Sequence, residues 1–566
     1  MSQLGVSIGS RFVGRALALP RPIDTDVSVE RDVRVPMDDG VTLLADMYTP
    51  AGAGPHPTVL VRSPYGRRGP LGLTLGRIFA ERGYRVMMQS CRGTFGSGGA
   101  FNPNFNERAD GLATVRWLGS QRWFDGRLAT NGPSYLGNVQ WAIADDAGPA
   151  LRALCSHVTY SNITRHWFAG ASLSFEDAVE WTTMVNTQEE RFAGLKSLFQ
   201  VRLRRFDRIV NELPIASFDE RMVKRRVRYW RDIVEHPTID DPYWRPLDHT
   251  KRVASVTAAV LQVGGWYDIF LPLQLDDYRA LVAAGNQPRL VIGPWTHTAS
   301  KGFAVQTRES LRWMDSHVRG TRTVDGTSPV RLFVMGAEQW RDFSAWPPEG
   351  YSSQRWHLHA GGGLDPRPPG ESKPDTHRYD PADPTPIVGG TLLRRSGGRR
   401  NQASTEARAD VLVYTSAALD SDIEVIGDVS AEIHVVSDLD HFDVFVRLCD
   451  VDQRGRSFNV CDGLERVSPL RGWPRTEDGT WTIRVPMWAT AHRFRAGHRI
   501  RVQVTSGAHP RFIRNLGTDE PLATATKMRV ANQAIFHDPR HPSGIVLPVK
   551  TRARPAPAPV PRDASK

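Results

Sequence analysis

The amino-acid sequence predicts an α/β fold class: a mainly parallel sheet, an inserted helical segment and a C-terminal all-β domain. In the first part of the chain, short runs that are apolar throughout alternate with helix-like segments, which is typical of parallel strands buried on both faces. A long amphipathic stretch, rich in arginine, glutamate and aromatic residues, then interrupts this alternation. Beyond residue 348, short alternating runs recur between Gly, Pro and Asp without a long helix, which indicates an antiparallel β-sandwich.

The length of the chain, 566 residues, exceeds what one hydrophobic core usually serves. We therefore divide the chain at the points where its composition and its hydrophobic periodicity change. The predicted units are an α/β domain in two parts, 1–159 and 249–348, a helical cap over 160–248, a β-sandwich over 349–551 and a tail over 552–566. The tail repeats proline and alanine, which cannot build a core, so we expect it to be disordered.

The net charge of +11, from 72 Lys and Arg against 61 Asp and Glu, raises the question of a nucleic-acid partner. The arginines are spread along the chain, with one dense zone at residues 202–231, and no nucleic-acid recognition motif accompanies them. A solvated basic surface is therefore the favoured interpretation. We expect no nucleic-acid partner and no membrane partner, since no apolar stretch approaches the roughly 20 residues that a membrane span needs.

The N-terminus and the cysteines favour a cytoplasmic location. Residues 1–22 contain only a weak apolar patch with arginines close to it, which is too short and too basic for a secretion signal. The four cysteines, Cys91, Cys155, Cys449 and Cys461, are too few for a disulfide scaffold. A bond between Cys449 and Cys461 across neighbouring strands stays open, but reduced thiols fit a cytoplasmic protein better.

The first half of the sheet is predicted from strand-like runs. They are a hairpin at 27–50, strands at 58–62, 84–89 and 151–158, and a further strand that leads into Gly132. Helices are expected at 75–82 and 107–120. Ligands of such a sheet gather at the carboxyl ends of its strands, where Tyr65, Arg92 and Ser134 fall.

The turn around Ser134 has the properties of a nucleophile elbow. The stretch Ala129-Thr130-Asn131-Gly132-Pro133-Ser134-Tyr135-Leu136-Gly137-Asn138 joins an apolar run to a helix-compatible run. Small residues near the serine leave its hydroxyl accessible, and a strained backbone holds it at the corner. The second glycine stands three residues after the serine instead of two, so the strict G-x-S-x-G pattern is not met. An ordinary glycine–serine turn therefore stays an alternative.

An aspartate and a histidine each follow a buried strand further along the chain. Asp268 comes after the strand at 258–265, and His297 lies in the loop after the strand at 289–293. Serine, then aspartate, then histidine is the chain order of the α/β-hydrolases. In that scheme His297 takes the proton of Ser134, and Asp268 holds the imidazole tautomer and stabilises its cationic form. Singly, Asp268 could be a helix N-cap and His297 a loop residue; together, the three strand-end residues indicate a serine hydrolase.

Six short motifs accompany this constellation. They are Ser63-Pro64-Tyr65, Cys91-Arg92-Gly93, Gly132-Pro133-Ser134-Tyr135-Leu136-Gly137, Gly265-Trp266-Tyr267-Asp268, Gly293-Pro294-Trp295-Thr296-His297 and Tyr379-Asp380-Pro381-Ala382-Asp383-Pro384. Together they make the chain resemble the cocaine esterase/NonD-type acyl hydrolases, relatives of the X-Pro dipeptidyl-peptidase (S15) family, in which the glycine stands third after the serine. The resemblance spans about residues 33–549. It implies an α/β-hydrolase core, a helical cap and a C-terminal jelly roll of the galactose-binding type.

The resemblance also implies roles for individual residues. It implies Ser134, Asp268 and His297 as the catalytic triad. It implies an oxyanion hole made of the backbone N–H of Tyr135 and the phenol of Tyr65, and a phenol can indeed donate to a developing oxyanion as an amide can.

Three aromatic residues match the walls of the family's acyl pocket: Trp167, Trp181 and Phe270. Core packing is the rival interpretation for all three. The α-amino-acid ester hydrolases of this family collect carboxylates near the site to bind a substrate ammonium, but here the apolar Ile269 and Phe270 follow the triad aspartate. Only the cap carboxylates could contribute to such a cluster, namely Glu176, Asp177 and Glu180. An uncharged or aromatic acyl group is therefore favoured.

One departure from the family concerns Arg92. The family usually has an aspartate two residues before this arginine, where the present chain has Ser90. If that aspartate fixes the arginine, Arg92 is held differently here. We assign Arg92 no catalytic role.

Three functions are weighed. The leading one is a serine hydrolase that cleaves small carboxylic esters through an acyl-enzyme. The second is amide chemistry in the same fold, as an amidase, an acylase or an X-Pro dipeptidyl-peptidase. The third is a non-catalytic binding protein whose sandwich holds a carbohydrate or a partner, which rests on fold analogy alone. The oligomeric state, including a homo-oligomer, is left open.

No cofactor and no metal are expected, because no cluster of His, Cys and carboxylate residues has metal-ligand spacing. His236, His537 and His541 are assigned structural roles.

Overall fold

The computed structural model describes residues 3–52, 54–190, 201–321, 327–393 and 396–551. The predicted tail at 552–566 lies outside these residues. Among the helices within the described ranges, none combines the length and the apolar character that crossing a membrane requires.

In the described part of the chain, ten strands form one sheet. They are β1 (Val27–Pro36), β2 (Thr42–Pro50), β3 (Thr58–Ser63), β4 (Arg85–Ser90), β5 (Leu128–Pro133), β6 (Leu151–His157), β7 (Ala259–Tyr267), β8 (Arg289–Thr296), β9 (Val330–Val334) and β10 (Gln339–Phe343). Their spatial order is β1-β2-β4-β3-β5-β6-β7-β8-β9-β10. Neighbours from β4 to β9 run parallel, while β1, β2 and β10 pair antiparallel. The carboxyl ends of β5, β7 and β8 therefore point to the same edge of the sheet.

Both faces of this sheet are buried, as the continuous apolar runs predict. In β3 the side chains of Val59 and Val61 join one hydrophobic cluster and that of Leu60 joins another. In β4 the side chain of Met88 joins the first cluster and that of Met87 the second. Successive side chains of a strand point to opposite faces, so each cluster is the core on one side of the sheet.

The helices before β6 are α1 (Gln3–Ala16), α2 (Gly69–Leu71), which continues through a π-helical turn (Gly72–Arg77) into α3 (Ile78–Ala80), α4 (Glu107–Gly119) and α5 (Tyr135–Trp141). Between β6 and β7 lie α6 (Thr164–Trp167), α7 (Phe175–Thr187), α8 (Val201–Ile209), α9 (Phe218–Val223), α10 (Arg228–Glu235) and α11 (Thr250–Val253), with 3₁₀ turns at Ala169–Ala171, Ile215–Ser217 and Pro242–Leu247. α12 (Leu271–Ala283) follows β7, and α13 (Ser300–His317) follows β8.

The helices between β6 and β7 pack through aromatic residues into one hydrophobic core, which also includes residues from further along the chain: Ile269, Phe270, Leu273, Ile513 and Ala523. In α10 the apolar residues recur at helical spacing, and Tyr229, Trp230, Ile233 and Val234 are all buried. The ring centroids of Phe175 and Phe218 lie 5.2 Å apart, and those of Phe175 and Trp230 6.4 Å apart. We refer to these helices as the cap.

The last part of the chain forms a sheet of eleven strands in its described residues. They are β11 (Tyr351–His359), β12 (Gly363–Asp365), β13 (Asp375–Tyr379), β14 (Leu412–Thr415), β15 (Ile423–Ser437), β16 (Phe442–Val451), β17 (Ser457–Val467), β18 (Trp481–Phe494), β19 (Arg499–Thr505), β20 (Ala531–Phe536) and β21 (Gly544–Lys550), with one short helix, α14 (Ala403–Glu406), and 3₁₀ turns at Ala360–Gly362 and Pro469–Arg471. Buried residues from strands throughout this sheet, including β20, β11, β17 and β18, share one hydrophobic cluster, so the strands enclose a single core.

Two details of this β domain differ from what the sequence pattern predicts, which is separate alternating runs at 424–427 and 430–436 and a linker-like, proline-rich stretch at 365–386. The runs 424–427 and 430–436 form one strand, β15, because a bulge between Gly427 and Val429 lets the chain continue past a break in its alternation. The proline-rich stretch 365–386 has the composition of a linker, but it contains β13, which forms antiparallel hydrogen-bonded pairs with β20. Within β13, His377 and Tyr379 are buried while Thr376 and Arg378 are exposed, an alternation that is too short to outweigh the surrounding prolines in the sequence.

The cap meets the β domain at Gly170, where the chain approaches β17 too closely for a side chain. Gly170 has φ of +59°, and a Cβ atom there would lie 1.8 Å from the carbonyl oxygen of Leu464. We predict that Gly170→Ala lowers the free energy of unfolding by about 2–4 kcal/mol, because it adds backbone strain to a steric clash. Urea denaturation of the full chain measures the change.

Gly119 provides the control for this prediction. It is exposed at the end of α4, and a Cβ atom there would meet nothing within 4 Å. Gly119→Ala should therefore be neutral or stabilising by about 0.5–1 kcal/mol. Equal denaturation midpoints for Gly170→Ala and the wild type would contradict the account of the junction.

Candidate active site

Ser134 occupies a strained turn between β5 and α5. Its backbone has φ of 61° and ψ of −128°. Residues other than glycine adopt this conformation only where the surrounding structure constrains them. The constraint is hydrogen bonding on both sides: the Ser134 N–H donates to the carbonyl of His157 at 2.9 Å, and Thr159 Oγ1 donates to the carbonyl of Ser134 at 2.6 Å. The geometry is that of the nucleophile elbow which the sequence predicts.

The two glycines near the serine are required by close packing. A Cβ atom on Gly132 would lie 2.5 Å from Cβ of Leu136, and one on Gly137 would lie 2.5 Å from Cγ2 of Thr159. The residue two places after the serine, Leu136, meets no such restriction and is buried in the core behind the sheet. The position of the second glycine therefore follows from where α5 touches the strand end after β6.

Asp268 and His297 are joined at the ends of the neighbouring strands β7 and β8. His297 Nδ1 lies 2.8 Å from Asp268 Oδ2, and the second carboxylate oxygen accepts the N–H of Phe270 at 2.8 Å. Asp268 is fully buried, and the His297 side chain is 8% exposed. Because a carboxylate only accepts hydrogen bonds, the imidazole proton lies on Nδ1, which leaves the Nε2 lone pair free to take a proton.

Tyr65 and Tyr135 flank the turn, and their rings meet edge to face with centroids 6.5 Å apart. The indole Nε1–H of Trp181 donates to the phenol oxygen of Tyr65 at 2.9 Å. Burial raises the pKa of Tyr65 to about 12, against the opposing effect of hydrogen bonds with Trp181 and Ser134. The phenol therefore stays protonated at neutral pH and can donate a hydrogen bond.

A buried polar network fixes the ring of Tyr135 from behind. The Tyr135 hydroxyl donates to Glu107 Oε1 at 2.7 Å and accepts the N–H of Asn104 at 2.8 Å. Glu107 is in turn paired with Arg62 at 2.8 Å, and both side chains are buried. The sequence does not indicate a role for Glu107, since no pattern within a helix marks which of its charged residues turns inward.

Six of the residues predicted from the sequence line one cavity: Ser134, Tyr135, Trp167, Trp181, Phe270 and His297. Tyr65 lies beside it through its bond to Trp181, and Asp268 lies behind His297. The cavity has a volume of about 40 Å³, which is room for roughly three water molecules.

Three further polar residues line the cavity: Asn104 and His166, which the sequence did not place at the site, and Asp177, one of the cap carboxylates considered for it. His166 Nε2 lies 3.2 Å from Asp177 Oδ2. Of the three cap carboxylates weighed as an amine site, only Asp177 lines the cavity among the described residues; Glu176 and Glu180 do not. The pairing of His166 with Asp177 depends on how α6 packs on α7, which the sequence does not show.

Arg92 is held without the missing aspartate. Its guanidinium bonds Asp110 at 2.6 Å and Asp39 at 2.7 Å. Ser90 instead accepts a hydrogen bond from Arg67 at 3.0 Å. Arg92 does not line the cavity.

The four cysteines, and the three histidines assigned structural roles from the sequence, lie outside the cavity. Cys91, Cys155, Cys449 and Cys461 are buried free thiols. A bulge in the pairing of β16 with β17 sets Cys461 opposite Leu448 and Cys449 opposite Asn459. His236 pairs with Asp241, His537 with Asp375 and His541 with Asp538. Within the described ranges, no group of three or more His, Cys, Asp or Glu residues is arranged to hold a metal ion.

Known families and structures match almost the whole chain. The model of the X-Pro dipeptidyl-peptidases (S15 family) matches residues 39–299, and that of the X-Pro dipeptidyl-peptidase C-terminal non-catalytic domain matches residues 322–546. The cocaine esterase of Rhodococcus sp. (strain MB1 Bresler) is 32% identical over 579 residues, which cover 94% of this chain and 100% of that relative.

Two solved structures show the same fold. An aminopeptidase from the marine sediment archaeon Thaumarchaeota archaeon has a TM-score of 0.80 at 21% identity, and an α-amino acid ester hydrolase has a TM-score of 0.79 at 22% identity. Each alignment covers 93% of this chain and 97% of the other. They confirm the predicted fold class, an α/β-hydrolase-like core with a C-terminal all-β domain.

The bond from Trp181 to Tyr65 generates a prediction about their coupling. Tyr65→Phe should lower kcat for ester hydrolysis by about 10²–10³-fold, which is the usual effect of losing an oxyanion donor. Trp181→Phe keeps an aromatic wall but removes the N–H that orients the phenol, so it should lower kcat in the wild type and have little further effect in Tyr65→Phe. The coupling free energy, measured from kcat/KM in a double-mutant cycle, should be about 1 kcal/mol or more.

Trp167→Phe is the matched control for this cycle, since Trp167 also lines the cavity but packs on Trp244, with ring centroids 5.4 Å apart. Its effect should add to that of Tyr65→Phe within about 0.5 kcal/mol. Additive behaviour of Trp181→Phe with Tyr65→Phe would show that the hydrogen bond does not act in catalysis.

Proposed function

The chain belongs to the X-Pro dipeptidyl-peptidase (S15) family and is a serine hydrolase related to cocaine esterase, and from that premise we propose that it cleaves small carboxylic esters through an acyl-enzyme on Ser134. The observation that carries the proposal is the hydrogen bond from His297 to buried Asp268 at the cavity that also holds Ser134. It leaves one imidazole nitrogen ready to accept a proton beside a strained, accessible serine.

In the proposed reaction, Ser134 Oγ attacks the ester carbonyl carbon while His297 Nε2 takes the hydroxyl proton. The carbonyl oxygen becomes an oxyanion that accepts hydrogen bonds from the Tyr65 phenol and the Tyr135 N–H. The C–O bond to the alcohol then breaks, and the alcohol leaves with the proton from His297. Water attacks the acyl-enzyme with His297 as base, which releases the carboxylic acid and restores Ser134.

Two features support an ester with an uncharged acyl group over an α-amino amide. Ile269 and Phe270, which follow the triad aspartate, are 4% and 5% exposed and place apolar surface beside His297. The rings of Phe270 and His297 meet edge to face with centroids 5.3 Å apart. Such a wall gives an ammonium group no ionic partner at the position next to the imidazole.

A cytoplasmic location is part of the same proposal. It is supported by the four cysteines, all of which are buried thiols without a disulfide bond.

Labelling with a fluorophosphonate tests the nucleophile. We predict stoichiometric modification of Ser134, identified by mass spectrometry of the digested protein, and loss of both labelling and p-nitrophenyl butyrate turnover in Ser134→Ala. Turnover in the variant should fall by about 10⁴-fold or more. Labelling at another serine, or full turnover by Ser134→Ala, would refute the assignment of Ser134.

A substrate panel tests the ester preference. The butyrate ester of p-nitrophenol should be hydrolysed with a kcat/KM more than about tenfold above that of butyryl p-nitroanilide, since the two share an acyl group and differ in the leaving atom. Ser134→Ala serves as the blank for non-enzymatic hydrolysis. A higher kcat/KM on an Xaa-Pro p-nitroanilide would assign the protein to peptidase chemistry instead.

A further inference from the structure

The cap side of the catalytic cavity carries a polar pair that the proposed reaction does not use. Most of the wall is aromatic or aliphatic, but His166 and Asp177 meet there with 3.2 Å between Nε2 and Oδ2. Their side chains are only 6% and 7% exposed. A charged or polar pair buried beside a cavity is a candidate for a role in binding, because its removal from water is unfavourable unless hydrogen bonds replace it.

The pair is held in a defined orientation. Asp177 lies in the first turn of α7, and its Oδ1 accepts the N–H of Leu393, from the β domain, at 3.2 Å. His166 lies in α6, and its ring packs edge to face on Phe270 with centroids 4.8 Å apart. Phe270 packs in the same way on His297, so one aromatic ring separates the pair from the proposed catalytic base.

Asp177 has hydrogen-bonding capacity left for a substrate. A carboxylate has about four acceptor positions, and the N–H of Leu393 occupies one of them. His166 Nε2 lies 3.2 Å from the other carboxylate oxygen but without hydrogen-bond geometry. Because Asp177 lines the cavity, an occupant there can donate a further hydrogen bond to it. A purely apolar occupant would cover the carboxylate without replacing the water that otherwise solvates it.

We propose that Asp177, held by His166, is a specificity-determining residue that accepts a hydrogen bond from a hydroxyl group on the acyl part of the substrate. The inference rests on the proposed esterase function and names the acyl class within it. A carboxylate on the acyl group would be repelled by Asp177. An ammonium group would lose its hydration and gain only one carboxylate partner, which already pairs with His166. A neutral hydroxyl group loses less hydration free energy on entering an aromatic cavity.

Matched substrate pairs test the proposal. The p-nitrophenyl ester of 3-hydroxybutanoic acid is compared with that of 3-methylbutanoic acid, and the ester of (4-hydroxyphenyl)acetic acid with that of (4-methylphenyl)acetic acid. Within each pair a hydroxyl replaces a methyl group of similar size, and the two pairs place it at different distances from the ester. The wild type should prefer the hydroxyl member of at least one pair by about tenfold or more in kcat/KM.

Two substitutions and one control locate the preference. Asp177→Asn should reduce it several-fold because the hydrogen bond is no longer charge-assisted, and Asp177→Ala should abolish it. Glu176→Gln is the control, since Glu176 is also buried in the first turn of α7 but does not line the cavity. The substitution removes a negative charge from the start of the helix, as Asp177→Asn does. The ratio between two substrates on one enzyme is independent of how much of a variant is folded.

The outcomes separate this inference from the proposed function. Equal rates within both pairs for a wild type that turns both over by a Ser134-dependent route would overturn the inference and leave the esterase proposal standing. A preference that survives Asp177→Ala, or that Glu176→Gln removes equally, would also overturn it. So would faster turnover of the 3-aminobutanoyl ester, or of a carboxylate-bearing ester, than of the 3-hydroxybutanoyl ester. Failure to hydrolyse any of these esters would reject both proposals.

Discussion

The turn at Ser134 is the constraint on which the site depends. A backbone with φ of 61° persists only because its surroundings leave it no relaxed alternative. The strand end after β6 supplies that constraint through the carbonyl of His157 and the hydroxyl of Thr159. The same Thr159 sets the limit that only glycine satisfies at position 137. The serine is thus held by its neighbouring strand, and the cap and the β domain need only shape the space above it.

The three parts of the molecule meet around this space. The sheet supplies Ser134 and the Asp268–His297 pair, the cap supplies Trp167, Trp181 and Asp177, and the β domain reaches in through Leu393. The contact of Gly170 with Leu464 fixes the cap against the β domain at van der Waals distance. The wall of the cavity is therefore shared between elements far apart in sequence, while the proposed chemistry stays on the sheet edge, where parallel strands bring their ends together.

The sequence was most informative where a reactive residue type directly follows a strand with a regular hydrophobic pattern. Runs that are apolar throughout predicted β3 to β8, and the residues directly after three of those strands predicted the candidate triad. It was least informative where a short pattern competes with strong local signals. The prolines around β13 concealed a five-residue strand, and the break at Gly427 divided one long strand, β15, into two runs.

The sequence by itself determined the fold class and the order of serine, aspartate and histidine, because local periodicity and motif spacing express these properties. The aromatic residues at the cavity were expected only from the resemblance to a known family. Only the tertiary structure decided that Trp181 donates to Tyr65, that Glu107 turns inward to Tyr135, and that His166 meets Asp177 at the cavity wall. Each of these contacts joins side chains on different elements. Their distances follow from how helices pack on one another and on the sheet, and no periodic pattern within a single element records that packing.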